Sequence, residues 1–121
     1  SVFIADDSAV IRDRLREMLG EIQGVSVVGH AVDVPSAERG IEATRPDVAI
    51  VDISMPGGSG IDVVRKLKQG RPGGPSVIMY TNYALSQYRQ ACAEAGADFF
   101  FDKSTDSRKL AEAIRMLAAR D

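Results

Sequence analysis

The sequence contains a single cysteine, Cys92, so no internal disulfide can form, and the chain reads as one made for a reducing compartment. Cys92 falls in a helix-patterned stretch, where a thiol serves as a small apolar side chain more often than as a reactive group. No apolar run approaches the roughly 20 residues needed to span a bilayer. The N-terminus opens directly into a strand-like run and leaves no room for a secretory leader, so a cytoplasmic location is expected. Basic residues show no excess: 15 Lys and Arg stand against 17 Asp and Glu, for a net charge of -2. They are scattered through the helical stretches, which leaves no electrostatic footing for nucleic-acid binding by this segment. Repeats, low-complexity tracts and inter-domain linkers are also missing.

What is present is an alternating pattern. At 121 residues, 45% hydrophobic and 26% charged, the chain suits one folded domain over residues 1–121. Five apolar runs stand out: Val2–Ala5, Val25–Val28, Val48–Val51, Val77–Tyr80 and Phe99–Phe101. Most are continuously apolar, as strands covered on both faces of a parallel sheet are. Val25–Val28 is weaker, interrupted by Ser26, and is expected at an edge. Five helical stretches intervene. Ser8 is placed to cap the first, whose Ile11, Leu15, Met18, Leu19 and Ile22 share a face. Pro35 suits the first turn of the second, and Pro46 closes it. Ile61, Val64 and Leu67 form the stripe of the third, before the breaker run Gly70–Pro75. The fourth runs from about Ser86 to Ala95 and stops at Gly96, and the fifth begins near Thr105 or Asp106. This alternation predicts an α/β, doubly wound (βα)5 flavodoxin-like sandwich with five parallel strands in the order 2-1-3-4-5. Ligands of such sheets bind at the carboxyl ends of the strands, beside the switch point.

Those ends carry the chemistry. The first strand ends in Asp6-Asp7, the third in Asp52, the fourth in Thr81 and the fifth in Asp102-Lys103. Singly, each has a bland reading: Asp7 or Ser8 as a helix cap, Lys103 as a solvated lysine, Thr81 as a hydroxyl satisfied by local backbone. Jointly they converge on one rim. Three carboxylates in a small space raise one another's pKa values unless a cation relieves them, and Mg²⁺, or Mn²⁺, is the hard cation suited to such oxygens. Lys103 adds a mobile positive charge and Thr81 a hydroxyl donor. The set suits a metal-held phosphoryl group and a carboxylate that attacks phosphorus to give an aspartyl-phosphate.

At these residues the sequence resembles the receiver domain of bacterial two-component response regulators. The resemblance covers nearly the whole chain and rests on motifs in order: Ile4-Ala5-Asp6-Asp7-Ser8; Val51-Asp52-Ile53-Ser54-Met55-Pro56 followed by Gly60; Tyr80-Thr81-Asn82; and Ala95 through Lys103. It implies a phosphorylation-dependent switch in which Asp52 is the phospho-acceptor and Asp7 a direct Mg²⁺ ligand, with Asp6 acting largely through water. It implies the Ser54 backbone carbonyl as a further ligand, Thr81 and Lys103 as phosphate-binding groups, and Phe100 as an aromatic switch coupled to Thr81. The implied donor is a sensor histidine kinase, a phosphotransfer protein or a small phosphodonor. The chain would then be no enzyme beyond catalysing its own phosphoryl uptake and loss.

The chain departs from that pattern in three places. Ser104 stands where receivers commonly have a proline after the lysine, often with a cis bond. A non-proline cis bond costs about 2.5–4 kcal/mol, so Lys103–Ser104 is expected to be trans with the adjoining loop adjusted. Asn82 stands where Ala or Gly is usual and is expected to narrow access to the phosphoryl group. Ser54 and Tyr83 occupy the positions that tune dephosphorylation. Gly57-Gly58-Ser59-Gly60 lacks the Gly-Lys-Ser/Thr ending of a nucleotide P-loop and reads as a flexible loop. His30, the only histidine, lies at a strand end rather than on a helix, so it reads as structural and the phosphoryl group must come from another molecule.

Output is expected through the face of the fourth helix, fifth strand and fifth helix, by dimerisation or effector docking. The residues end with the fifth helix, which fits either a stand-alone receiver or a part of a longer regulator, and the absent proline points weakly to regulators with helix-turn-helix outputs. Two other classes compete. A small Mg-dependent phosphatase working through an aspartyl-phosphate would want an Asp-x-Asp motif, whereas this chain has Asp6-Asp7-Ser8 and Asp52-Ile53-Ser54. A flavodoxin would want a Ser/Thr-rich phosphate loop where two acids stand.

Overall fold

The protein is described from a computed structural model, which covers residues 1–69 and 73–120. Residues 70–72 of the expected breaker run, and Asp121 at the end of the expected domain, lie outside the described residues. Strands β1 (Val2–Ala5) and β3 (Val48–Val51) are buried at every position, as their uninterrupted apolar sequences require of strands covered on both faces. They pair in parallel with one another, and β2 (Val27–Ala31), β6 (Ser76–Thr81) and β7 (Phe99–Asp102) complete the sheet. The sheet order is β2-β1-β3-β6-β7. Two strands of two residues each, β4 (Ser54–Met55) and β5 (Gly58–Ser59), form a separate antiparallel ribbon. With that ribbon set aside, the five sheet strands stand in the expected 2-1-3-4-5 order of the flavodoxin-like fold.

Alternation along each strand sends successive side chains to opposite faces and so divides the interior in two. Phe3, Ala5, Val51 and Met79 face α2 (Val34–Thr44), α3 (Gly60–Lys68) and α4 (Ser86–Ala95), meeting Ile41, Val63, Val64 and Cys92. Val2, Ile4, Ile50 and Ile78 face α1 (Ala9–Gly20) and α5 (Ser107–Ala119), meeting Leu15, Leu19, Leu110 and Ile114. Each buried Val, Leu, Ile, Phe or Met among them contributes about 1.5–3 kcal/mol by leaving water. Cys92 is fully buried in the first of these clusters, and burial pushes its thiol up to about 11, so it behaves as an apolar residue.

The helix ends follow local chemistry. Ser8 Oγ accepts from the Ile11 amide at 3.3 Å at the start of α1. Asp33 Oδ1 accepts from the Ser36 amide at 2.8 Å ahead of α2, with Pro35 in the first turn. Arg45, left-handed at φ 45°, closes α2 just before Pro46, and Gly96, at φ 107°, closes α4.

Two expectations need correction. Strand β2 lies two to three residues beyond Val25–Val28, because its register is set by β1. Val2 pairs with Val27 and Phe3 with Gly29 across an irregularity, and a β-carbon on Gly29 would sit 3.0 Å from the Phe3 ring. As an edge strand it buries only one end, so apolarity does not mark it. The Gly57–Gly60 stretch is no irregular loop: it supplies half of the ribbon, the Ser59 cap and the first residue of α3. The fifth helix begins as expected, with Asp106 in the capping position ahead of Ser107.

Candidate functional site

Parallel pairing carries the ends of β1, β3, β6 and β7 to one rim. The Asp6 amide donates to the Ala31 carbonyl at 3.0 Å and the Asp52 amide to the Ala5 carbonyl at 3.0 Å, so each acidic residue continues its strand's ladder by one step. Asp6 Oδ1 then accepts from the Ser8 amide at 2.9 Å, which turns the chain into α1. Asp52 is braced from beneath. The Gly60 amide donates to the Ile53 carbonyl at 2.8 Å. At Gly60 a β-carbon would lie 1.9 Å from the Asp52 carbonyl oxygen, so only glycine permits the ribbon and α3 to tuck this close.

Lys103 enters from the end of β7. Its ammonium donates to Asp52 Oδ2 at 2.6 Å and pairs with Asp6 Oδ2 at 2.7 Å, with only 7% of the side chain exposed. Burial alone would pull its pKa down, but the bonds to Asp52 and Asp6 outweigh it and hold the pKa above the usual lysine value. Burial raises the Asp6 carboxyl, only partly offset by Lys103 and the Ser8 amide. Removing lysine from water is tolerated because two carboxylates meet it.

One ammonium pairs with two members of a cluster of three acids. Asp7 is exposed beside the buried Asp6 and Asp52, and one carboxylate oxygen from each lies within 4.8 Å of the other two. Asp52 Oδ1 is buried with no hydrogen-bond partner. A buried carboxylate oxygen without a donor is costly, and an excess of negative charge beside it adds to the cost. The donor set is therefore fitted to a hard divalent cation such as Mg²⁺, which prefers carboxylate, carbonyl and water oxygens.

Thr81 ends β6 fully buried; its Oγ1 accepts from the Tyr83 amide at 3.2 Å and its carbonyl from the Lys103 amide at 3.0 Å. The structure therefore joins Thr81 to the lysine through the backbone. Asn82 and Tyr83, in the loop after β6, and Ser54, in the ribbon, are exposed. Phe100 is half-buried in β7, with the Arg89 guanidinium 4.5 Å from its ring centre. Arg89 Nε also donates to the Ala84 carbonyl at 3.3 Å, which ties the ring to the β6–α4 loop. The Lys103–Ser104 peptide is trans, as expected. His30 is exposed on β2, where Nδ1 lies 2.5 Å from an Arg16 nitrogen, and burial followed by the Arg16 and Arg12 charges lowers its pKa. The reading of the residues did not find Arg89 or the steric demand at Gly60. Neither has a one-residue signal, since both depend on what the fold brings alongside.

Comparison with known proteins gives a consistent result. The family model for the response regulator receiver domain matches residues 2–115. The DNA-binding transcriptional activator DevR/DosR of Mycobacterium tuberculosis is 34% identical over 118 residues, 98% of this chain and 54% of the relative. The transcriptional regulatory protein DesR of Bacillus subtilis is 33% identical over 115 residues, 95% of this chain and 56% of the relative. The chain thus spans about half the length of these curated relatives. Among solved structures, a LuxR-family two-component response regulator from Aurantimonas sp. SI85-9A1 superposes with a TM-score of 0.88 at 30% identity, covering 98% of this chain and 84% of that one. A CheY-like receiver domain protein from Methanospirillum hungatei JF-1 gives 0.79 at 28% identity, covering 98% and 93%.

Proposed function

This chain belongs to the response regulator receiver domain family, and from that premise we propose that Asp52 is its phospho-acceptor, with Asp6, Asp7, Thr81 and Lys103 serving the transfer. The observation that carries this is the state of the Asp52 carboxylate. Oδ2 is held by Lys103 at 2.6 Å, while Oδ1 is buried and unpartnered beside two further acids.

The residues divide the work. Asp7, Asp6 and Asp52, with the Ser54 carbonyl, would hold Mg²⁺ or Mn²⁺, which when bound neutralises charge on the phosphoryl oxygens. Lys103 turns from the carboxylate to a phosphoryl oxygen and frees Asp52 Oδ2. That oxygen attacks phosphorus in line as the phosphorus–nitrogen bond of a donor phosphohistidine breaks; the bonding pair leaves with the imidazole nitrogen. Thr81 donates its hydroxyl to a second phosphoryl oxygen. With a loose transition state, positioning and charge neutralisation carry most of the rate. Asn82, Tyr83 and Ser54 flank the entrance and set how readily water reaches the acyl phosphate.

The signal follows from charge. An aspartyl-phosphate brings nearly two negative charges to Asp52, and drawing Thr81 and Lys103 toward it displaces the β6–α4 loop. Phe100 then turns into the space released, and the face of α4, β7 and α5 changes, as a shift in population between two arrangements. A histidine kinase or phosphotransfer protein supplies the phosphoryl group, and an output domain or partner docks on that face. The experiment is treatment with acetyl phosphate and Mg²⁺ followed by Phos-tag electrophoresis. Wild type is retarded and Asp52→Asn is not; equal retardation of both would remove Asp52 from this role.

A further inference from the structure

Lys103 sits at the apex of a turn that closes on itself. Asp102 Oδ1 accepts from the Ser104 amide at 2.8 Å and from Ser104 Oγ at 2.6 Å. The Asp102 amide donates to Asp106 Oδ2 at 2.9 Å, and the Asp102 carbonyl accepts from the Asp106 amide at 2.8 Å and the Thr105 amide at 3.3 Å. The Lys103 amide is spent on Thr81. Residues 102 to 106 are therefore pinned by the carboxylates of Asp102 and Asp106, neither of which touches the acid cluster.

That matters because of what lysine is. Its ammonium rides on four rotatable bonds, and ordering such a side chain is entropically costly. It meets two oxygens at 2.6 and 2.7 Å only while its Cα stays in place. Ser104, in a trans peptide, lacks the ring by which a proline would restrain the backbone. The restraint comes instead from the Asp102 carboxylate, which grips Ser104 on the far side of the lysine.

We propose that Asp102 is a positioning residue for Lys103: by clamping Ser104 it fixes where the Lys103 ammonium meets Asp52 and Asp6. The kinetic consequence rests on the acceptor role of Asp52 given above; the geometric claim does not. The clamp needs an oxygen that accepts from Ser104, and an amide supplies one as well as a carboxylate does. An ordinary structural turn would cost stability when broken but leave the lysine and the chemistry unmoved.

The test uses the full chain as wild type, Asp102→Ala and Asp102→Asn. Uptake from acetyl phosphate with Mg²⁺ is followed over a range of donor concentrations, which separates plateau rate from half-saturation. In parallel, NMR records the Lys103 Nζ proton signals without any donor, since a hydrogen-bonded buried ammonium exchanges slowly and a free one does not. Asp102→Ala is expected to lower the plateau rate by about tenfold or more, with half-saturation unchanged, and to lose the ammonium signals. Asp102→Asn is expected to keep both. Wild-type plateau and signals in Asp102→Ala overturn the proposal, and so does an Asp102→Asn as impaired as the alanine variant. If Asp102→Ala does not fold, Ser104→Gly takes its place: losses of the same kind in smaller measure support the clamp, and a wild-type pattern overturns it. If wild type takes up no phosphoryl group, the function proposed above falls, while the ammonium signals still decide the part played by Asp102.

Discussion

Lys103 is asked to do two things that ordinarily conflict: to be buried and to stay charged. Its pKa is held up by Asp52 and Asp6 against the pull of burial, so the pair of acids and the lysine stand or fall together. Removing one partner of a buried ion pair costs about 3–5 kcal/mol, because the other charge is left uncompensated. Lys103→Met is therefore expected to destabilise the metal-free protein by about 3 kcal/mol in urea titration and to abolish phosphoryl uptake. A stability equal to wild type would show that the three acids tolerate each other without the ammonium. Gly60 imposes the opposite kind of constraint, of space rather than charge. With a β-carbon placed 1.9 Å from the Asp52 carbonyl oxygen, Gly60→Ala must push backbone against backbone. The expected loss is about 3 kcal/mol or more, in the range kept for backbone strain and overpacking. Urea melts check it, and a loss below about 1 kcal/mol would mean that the ribbon moves aside freely.

Among the elements, α2 shows how a cap couples to pH. Hydrogen bonds from the Ser36 hydroxyl and amide hold Asp33 below the usual carboxylate range. A depressed pKa contributes stability that is present above the unfolded value, about 3.9, and is lost as pH falls through the folded value. Asn also caps a helix but carries no charge for the Ser36 donors to stabilise and does not titrate. The melting temperature of wild type should therefore exceed that of Asp33→Asn near neutrality, and the gap should close as pH drops below about 4; a gap that stays constant to pH 2 refutes the coupling. Elements were legible in the sequence where one local rule decided them. β1 and β3 are uninterrupted apolar runs, α1 is announced by Ser8, α4 by Gly96, and each appears where read. β2 was displaced because an edge strand takes its register from its neighbour rather than from its own apolarity. The β4–β5 ribbon escaped notice because two-residue strands carry no period, and glycines at 57 and 58 read as a loop. The acid cluster was legible for the reverse reason: parallel pairing turns consecutive strand ends into spatial neighbours, so a residue's place in sequence almost dictates its place on the rim. The clamp around Lys103 was not legible, since nothing local distinguishes Asp102-Lys103-Ser104 from a solvated turn.

At the scale of the whole molecule, the sheet separates two interiors, and the site belongs to neither. Cation binding should therefore report on the fold as a whole. A ligand that binds only the folded state adds stability as RT ln(1 + [L]/Kd), about 2.7 kcal/mol at a hundredfold excess over Kd. Calorimetry in rising Mg²⁺ is expected to show a melting temperature that climbs with concentration in wild type and stays flat in Asp7→Asn combined with Asp52→Asn. An equal climb in both would place the ion elsewhere. The sheet order has one last implication. β3, which leads into Asp52, has two sheet strands on either side of it. The proposed acceptor is thus attached to the central strand of the sheet, where parallel neighbours on both sides restrict its backbone. On the role proposed for Asp52, a signal would leave the domain through the pieces that approach it rather than through its own displacement.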